Sequence, residues 1–130
     1  MSQVTGPLSI NNGAASPVAK SFAPQAVAPD RSIFTERSAT QSAGYLKLEV
    51  LSSFASGNRN TNRVDVNFDM PILETVNGVT KVSRVGRFKG YFVIPDTMTA
   101  TERADLAAFV ANALDNTQVR AIVKDLDPLY

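Results

Sequence analysis

The chain has no cysteine, no histidine and no tryptophan among its 130 residues. Without cysteine there is no disulfide framework and no thiolate chemistry. Without cysteine or histidine the usual zinc and transition-metal sites cannot be built, which leaves carboxylate and carbonyl sites for hard cations. A serine or threonine nucleophile lacks its commonest activating base. The twelve Asp and Glu residues are scattered and form no recognisable acid–base motif, so no enzyme, metal or cofactor is expected. No apolar run approaches the ~18 residues that a membrane helix needs. The opening Met1-Ser2-Gln3-Val4-Thr5-Gly6 lacks the basic start and apolar centre of a signal peptide. Neither a membrane partner nor export is expected.

What is present fits one folded domain. Hydrophobic residues make up 44% of the chain, and a core of this size buries roughly 65–70% of the extended surface. The net charge of +1 says little, but its distribution says more. Residues 45–91 carry Lys47, Arg59, Arg63, Lys81, Arg84, Arg87 and Lys89 against Glu49, Asp65, Asp69 and Glu74, a net +3. Residues 99–130 carry Arg103, Arg120 and Lys124 against Glu102, Asp105, Asp115, Asp125 and Asp127, a net −2. One segment suits a polyanion and the other does not.

Along the chain, Pro7, Pro17, Pro24 and Pro29 exclude a helix from the first 44 residues. Leu8-Ser9-Ile10 alternates, Asn11-Asn12-Gly13 signals a turn, and Val18 to Phe22 reads as a return strand. Residues 1–30 are therefore expected to form a hairpin with a mobile connection. A short strand follows around Ile33 and Phe34. From Tyr45 the two-residue period is clear: Leu46, Leu48 and Val50 face one way, Tyr45, Lys47 and Glu49 the other. After the turn at Gly57-Asn58-Arg59-Asn60, Val64, Val66 and Phe68 alternate with Arg63, Asp65 and Asn67. Asn77-Gly78 between Val76 and Val79 is a hairpin signal. Phe88, Phe92 and Ile94 then oppose Arg87, Lys89 and Tyr91, and Pro95 ends the strand.

The period next becomes helical. Thr99-Ala100-Thr101-Glu102 is a capping box, and Leu106, Phe109, Val110, Ala113 and Leu114 form one apolar stripe. Asp115-Asn116-Thr117 breaks the helix, and a second carries Val119, Ile122, Val123 and Leu126 before Pro128. The expected fold is α+β: the hairpin, a five-stranded antiparallel meander over 31–95, and two helices over 99–127. Two short helices are too small to cover a sheet ~20 Å across, and its outer strands have open edges. An obligate homodimer, with strands paired edge to edge and helices exchanged, relieves both problems.

The sheet face away from the helices presents Tyr45, Lys47, Glu49, Thr61, Arg63, Asp65, Arg87, Lys89 and Tyr91. Cations there neutralise phosphates, and tyrosine rings stack on unpaired bases. The same alternation is equally what any solvated sheet face shows. Asn77-Gly78 reads as a functional loop tip or simply as a tight turn. Arg59 reads as a phosphate contact or as a solvated side chain.

Beginning at Thr99-Ala100-Thr101-Glu102-Arg103-Ala104-Asp105-Leu106, the last third, with its two helices and closing Asp127-Pro128-Leu129-Tyr130, resembles the levivirus coat proteins of small RNA phages. Thr75-Val76-Asn77-Gly78-Val79 and Asn58-Arg59 are similar too. The resemblance implies dimers with a ten-stranded sheet, assembled in the bacterial cytoplasm into an icosahedral (T=3) virion shell around single-stranded RNA. It further implies that a dimer binds a genomic RNA hairpin as translational repressor and packaging signal. Lys47, Glu49, Thr61, Arg63, Arg87, Lys89 and Tyr91 fall on the implied RNA face, joined by Tyr45 from the alternation. Thr75, Val76, Asn77, Gly78 and Val79 form the implied inter-subunit loop. The family often has tyrosine at the position of Arg87, and uncharged or basic residues at that of Glu49. The alternative is a small dimeric nucleic-acid-binding regulator using the same face.

Overall fold

The computed structural model describes Val4 and residues 6–128. Met1, Ser2, Gln3, Thr5, Leu129 and Tyr130, parts of the two terminal motifs read above, lie outside the described residues. The chain forms two compact units, residues 1–93 and 94–130.

The first unit is built on an antiparallel sheet in sequential order, β1 (Leu8–Asn11), β2 (Ala19–Val27), β3 (Arg31–Glu36), β4 (Leu46–Ser53), β5 (Thr61–Val76) and β6 (Val79–Pro95). The expected hairpin is there, and it is continuous with the rest of the sheet. After it come four strands rather than five, because β6 runs unbroken for 17 residues. No proline interrupts its ladder before Pro95. Asn12 holds the β1–β2 connection: its Oδ1 accepts from the Ala14 and Val18 amides at 3.2 and 3.0 Å. At Pro24 the β2–β3 register slips by one residue between Pro24↔Phe34 and Ala26↔Ile33. Proline has no N–H to give the ladder, and a bulge is the usual result.

Side chains sort as the alternation predicts. Phe34 pairs with Leu48 and Leu48 with Phe68, while Val50 pairs with Val66. The Phe22 ring tilts against Phe68 at 5.8 Å between centroids. Phe22 and Phe34 are 2% and 5% exposed and are the only buried large apolar side chains among the described residues. A two-residue turn joins β5 to β6. Asn77 and Gly78 have φ of 53° and 78°, the pair of positive values a type I′ turn requires. The β3–β4 connection folds onto the sheet, with Gly44 packed so closely on Leu73 that an added Cβ lies 2.6 Å from its Cδ1. Gln41 Nε2 donates to the Thr80 carbonyl at 3.0 Å.

The second unit holds α1 (Ala100–Asp115) and α2 (Thr117–Asp125). Thr99 and Glu102 form the capping box: the Glu102 amide donates to Thr99 Oγ1 and the Thr99 amide to Glu102 Oε1. Those hydrogen bonds hold the Glu102 carboxyl below its ordinary pKa. Asn116 ends α1 and caps α2 by accepting from the Gln118 amide at 2.9 Å. Neither helix contains a buried residue. On the apolar stripe Phe109 is 74% exposed, and on α2 Val123 is 75% exposed.

Phe34→Ala should cost about 3–5 kcal/mol through the cavity left between β3 and its neighbours. Urea denaturation measures this, and a loss below about 1 kcal/mol contradicts the placement of Phe34 at the centre of the core.

Candidate nucleic-acid interface

Because facing residues in an antiparallel pair share a face, the β3–β4–β5 registers arrange the polar face in rows. These run Arg31–Leu51–Asp65, Ile33–Glu49–Asn67 and Thr35–Lys47–Asp69. From β6, Arg87 reaches Asp69 at 3.6 Å, and the Arg63 guanidinium lies 4.1 Å from the Tyr91 ring centroid. Arg87 and Tyr91 thus stand on this face, with Lys89 between them in the same alternation. Lys47, Glu49, Arg63, Arg87, Lys89 and Tyr91 are therefore brought together. Tyr45 and Thr61 stand at the starts of β4 and β5, both half-buried.

Carboxylates answer most of the cations. Glu49, whose side chain is only 15% exposed, accepts from Arg31 Nε and Nη2 at 2.8 and 2.5 Å and from Asn67 Nδ2 at 3.3 Å. Burial pushes its pKa up, but the Arg31 and Asn67 hydrogen bonds and the charges of Arg31 and Lys47 outweigh it. The net shift is downward. Lys47 approaches Asp69 at 3.8 Å, and Arg63 meets Asp65 at 2.7 Å. The Asp65 hydrogen bond raises the Arg63 pKa. Lys89 has no ion-pair partner among the described residues. Such partly exposed pairs are individually weak, so a phosphate can compete for these cations.

Sequence alternation found the face but missed Arg31, Thr35 and Asp69 as members of it. Asp69 continues the Arg63–Asp65–Asn67 parity, and Arg31 and Thr35 flank Ile33 two residues away on each side. The partnership of Glu49 with Arg31 requires the β3–β4 register, which no local pattern gives. Arg59 donates through Nη2 to the Phe54 carbonyl, tying it to its own loop. At the 75–79 turn, Thr75 and Thr80 share a hydrogen bond of 2.7 Å, and Val76 and Val79 are exposed. There is no cluster of metal-ligating side chains among the described residues, and no helix is long and apolar enough to cross a membrane.

An antiparallel sheet with one charged face, followed by a capped helix pair with no buried residue, places the chain in the α+β class. The levivirus coat protein family model matches residues 3–130. The chain belongs to that family and is a viral capsid protein, a structural subunit rather than an enzyme. It is similar to the protein in the virus-like particle of bacteriophage ESE058, with a TM-score of 0.86 and 26% identity over 98% of this chain and 100% of that one. The virus-like particle of bacteriophage NT-214 gives 0.86 and 22%, covering 99% and 100%. The bacteriophage GA capsid protein gives 0.67 and 15%, covering 88% of each chain; these last two likenesses speak for the fold alone. No curated protein matches the sequence.

The downward shift at Glu49 predicts an acid-side dependence. Its ionic contribution is complete above about pH 4.5, the ordinary value, and is lost as the pH falls through the lowered one. Glu49→Gln should therefore lower the urea midpoint at pH 7, with the gap from the parent closing at acid pH. A gap that stays constant from pH 7 to full protonation contradicts this pairing.

Proposed function

We propose that the chain works as an obligate homodimer that assembles into an icosahedral, T=3 virion shell around single-stranded RNA, in the cytoplasm of a bacterial host. One observation carries the assembly: two large apolar side chains are buried among the described residues, while Phe88, Phe109, Leu114, Val123 and Leu126 are exposed. Isolated exposed apolar residues need no explanation, but a near-absence of buried ones does. A second copy supplies the missing cover, its helices lying over the apolar face and its β6 pairing with this one. Residues 1–130 then act as one coat domain. Thr75, Val76, Asn77, Gly78 and Val79 make a compact exposed tip suited to contacts around the symmetry axes.

The polar face then meets the genome. Lys47, Arg63, Arg87 and Lys89 provide phosphate contacts, Tyr45 and Tyr91 provide stacking surfaces, and Thr61 and Glu49 add hydrogen-bonding edges. Binding of a genomic hairpin on this face makes the dimer a translational repressor and marks the RNA for packaging. The carboxylates of Glu49, Asp65 and Asp69 suit exocyclic amino groups of bases, which only an acceptor can read.

Electron microscopy of the expressed protein should show closed shells of uniform diameter with co-packaged nucleic acid; soluble dimers alone would point to a regulator. Lys89→Ala or Arg63→Ala should weaken RNA binding and reduce its salt slope by about 0.7–0.9 per lost phosphate contact, leaving dimer stability nearly unchanged. Unaltered filter binding by both variants removes the RNA assignment. Phe109→Ala should weaken dimerisation by about 3 kcal/mol or more, on the order of a hundredfold. Normal assembly of that variant contradicts a role beneath the partner.

A further inference from the structure

The β3–β4 connection and the bulge in β2 together form a pocket of about 330 Å³ beside the polar face, lined by Gln25, Thr35, Arg37, Ser42, Tyr45 and Lys47. We propose that it holds one unpaired nucleotide of single-stranded RNA, with its phosphate on Arg37 and its base against Tyr45. This rests on the reading that the adjoining face meets RNA: Tyr45 and Lys47 belong to that face, and the pocket adds Gln25, Thr35, Arg37 and Ser42 to it.

Thr35 is a polar side chain only 4% exposed, and its hydroxyl accepts from Arg37 Nε at 3.0 Å. That bond leaves the two terminal guanidinium nitrogens with no partner among the described residues. A guanidinium oriented through Nε with its terminal nitrogens free is the fork that binds phosphate oxygens in pairs. No carboxylate among the described residues forms an ion pair with it: Asp69 is engaged by Lys47 and Arg87, and Glu36 accepts from the Ser38 amide and hydroxyl. Tyr45 supplies a π-face, on which a base stacks regardless of sequence.

The walls are set in advance. The slip between Pro24 and Ala26 leaves Gln25 without a register partner, and bulges commonly re-aim a side chain in this way. Gln25 thus brings an amide, able to donate and accept, to the same space as the Ser42 hydroxyl. Both are suited to a base edge or a 2′-hydroxyl. Gln41 on Thr80 and Gly44 on Leu73 tie down the connection that carries Ser42 and Tyr45. A site already formed loses less entropy on binding. A second pocket, lined by Asp30, Leu51, Ser52, Ser53, Arg63 and Asp65, has similar size, about 350 Å³. There the arginine is already bound to Asp65 and Asp30 adds a further carboxylate, so it offers phosphate no free fork.

The test uses the full chain and a fluorescent heptauridylate, followed by anisotropy at low salt. Arg37→Gln should weaken binding about tenfold, Arg37→Lys less, and Arg103→Gln on α1 by less than twofold. Ultraviolet cross-linking of a 4-thiouridine heptamer should place an adduct on the peptide containing Tyr45, a readout independent of any variant's folding. Loss with Lys89→Ala but not Arg37→Gln, or adducts confined to peptides around Arg63 and Tyr91, overturns the pocket while leaving the face. No loss with either variant overturns both. Loss with both Arg37→Gln and Lys89→Ala, together with the Tyr45 adduct, supports the pocket as an extension of the face.

Discussion

The row Phe34–Leu48–Phe68, with Phe22 against its end, is the constraint on which the rest of the sheet depends. A strand shifted by one residue turns every side chain over. Packing these rings on one side therefore obliges Lys47, Glu49, Asp65, Asn67 and Asp69 to share the other. The charged surface is thus a consequence of apolar packing. The ion pairs among those charges are partly exposed and individually weak, so they contribute less to this arrangement than the apolar packing does.

That packing is nevertheless thin within one chain. Phe22 and Phe34 are buried, yet Phe109 and Leu114 on α1 and Val123 on α2 remain exposed, and neither helix buries any residue fully. Helix caps explain how such helices keep their ends in order. They do not explain why Phe109 or Val123 is apolar. The proposed assembly supplies a reason: in it these positions are shaped by contacts between copies, not by the fold of one copy.

Much of the arrangement was legible in the residues because its signals are local. The capping box at Thr99-Ala100-Thr101-Glu102, the I′ turn at Asn77-Gly78, and the two-residue period of Leu46 to Val50 each depend on neighbours a few positions apart. The meander followed from them, and so did the division into apolar and polar faces. Other features depend on residues far apart in the chain. Glu49 is held by Arg31 from the adjacent strand, the Pro24 slip re-aims Gln25, and Thr35 orients Arg37 beside Tyr45. Alternation showed that Arg63, Lys89 and Tyr91 share a face, but not that Asp65 and Asp69 occupy two of its arginines. It also gave no reason to expect that β6 continues unbroken from Val79.

The central claim is that one chain does not complete its own core. Sedimentation velocity of the purified protein at micromolar concentration tests it most directly. The account predicts that the smallest folded species has twice the 14.0 kDa mass of one chain, with no stable lighter form on dilution. A folded 14.0 kDa monomer that unfolds cooperatively would contradict it.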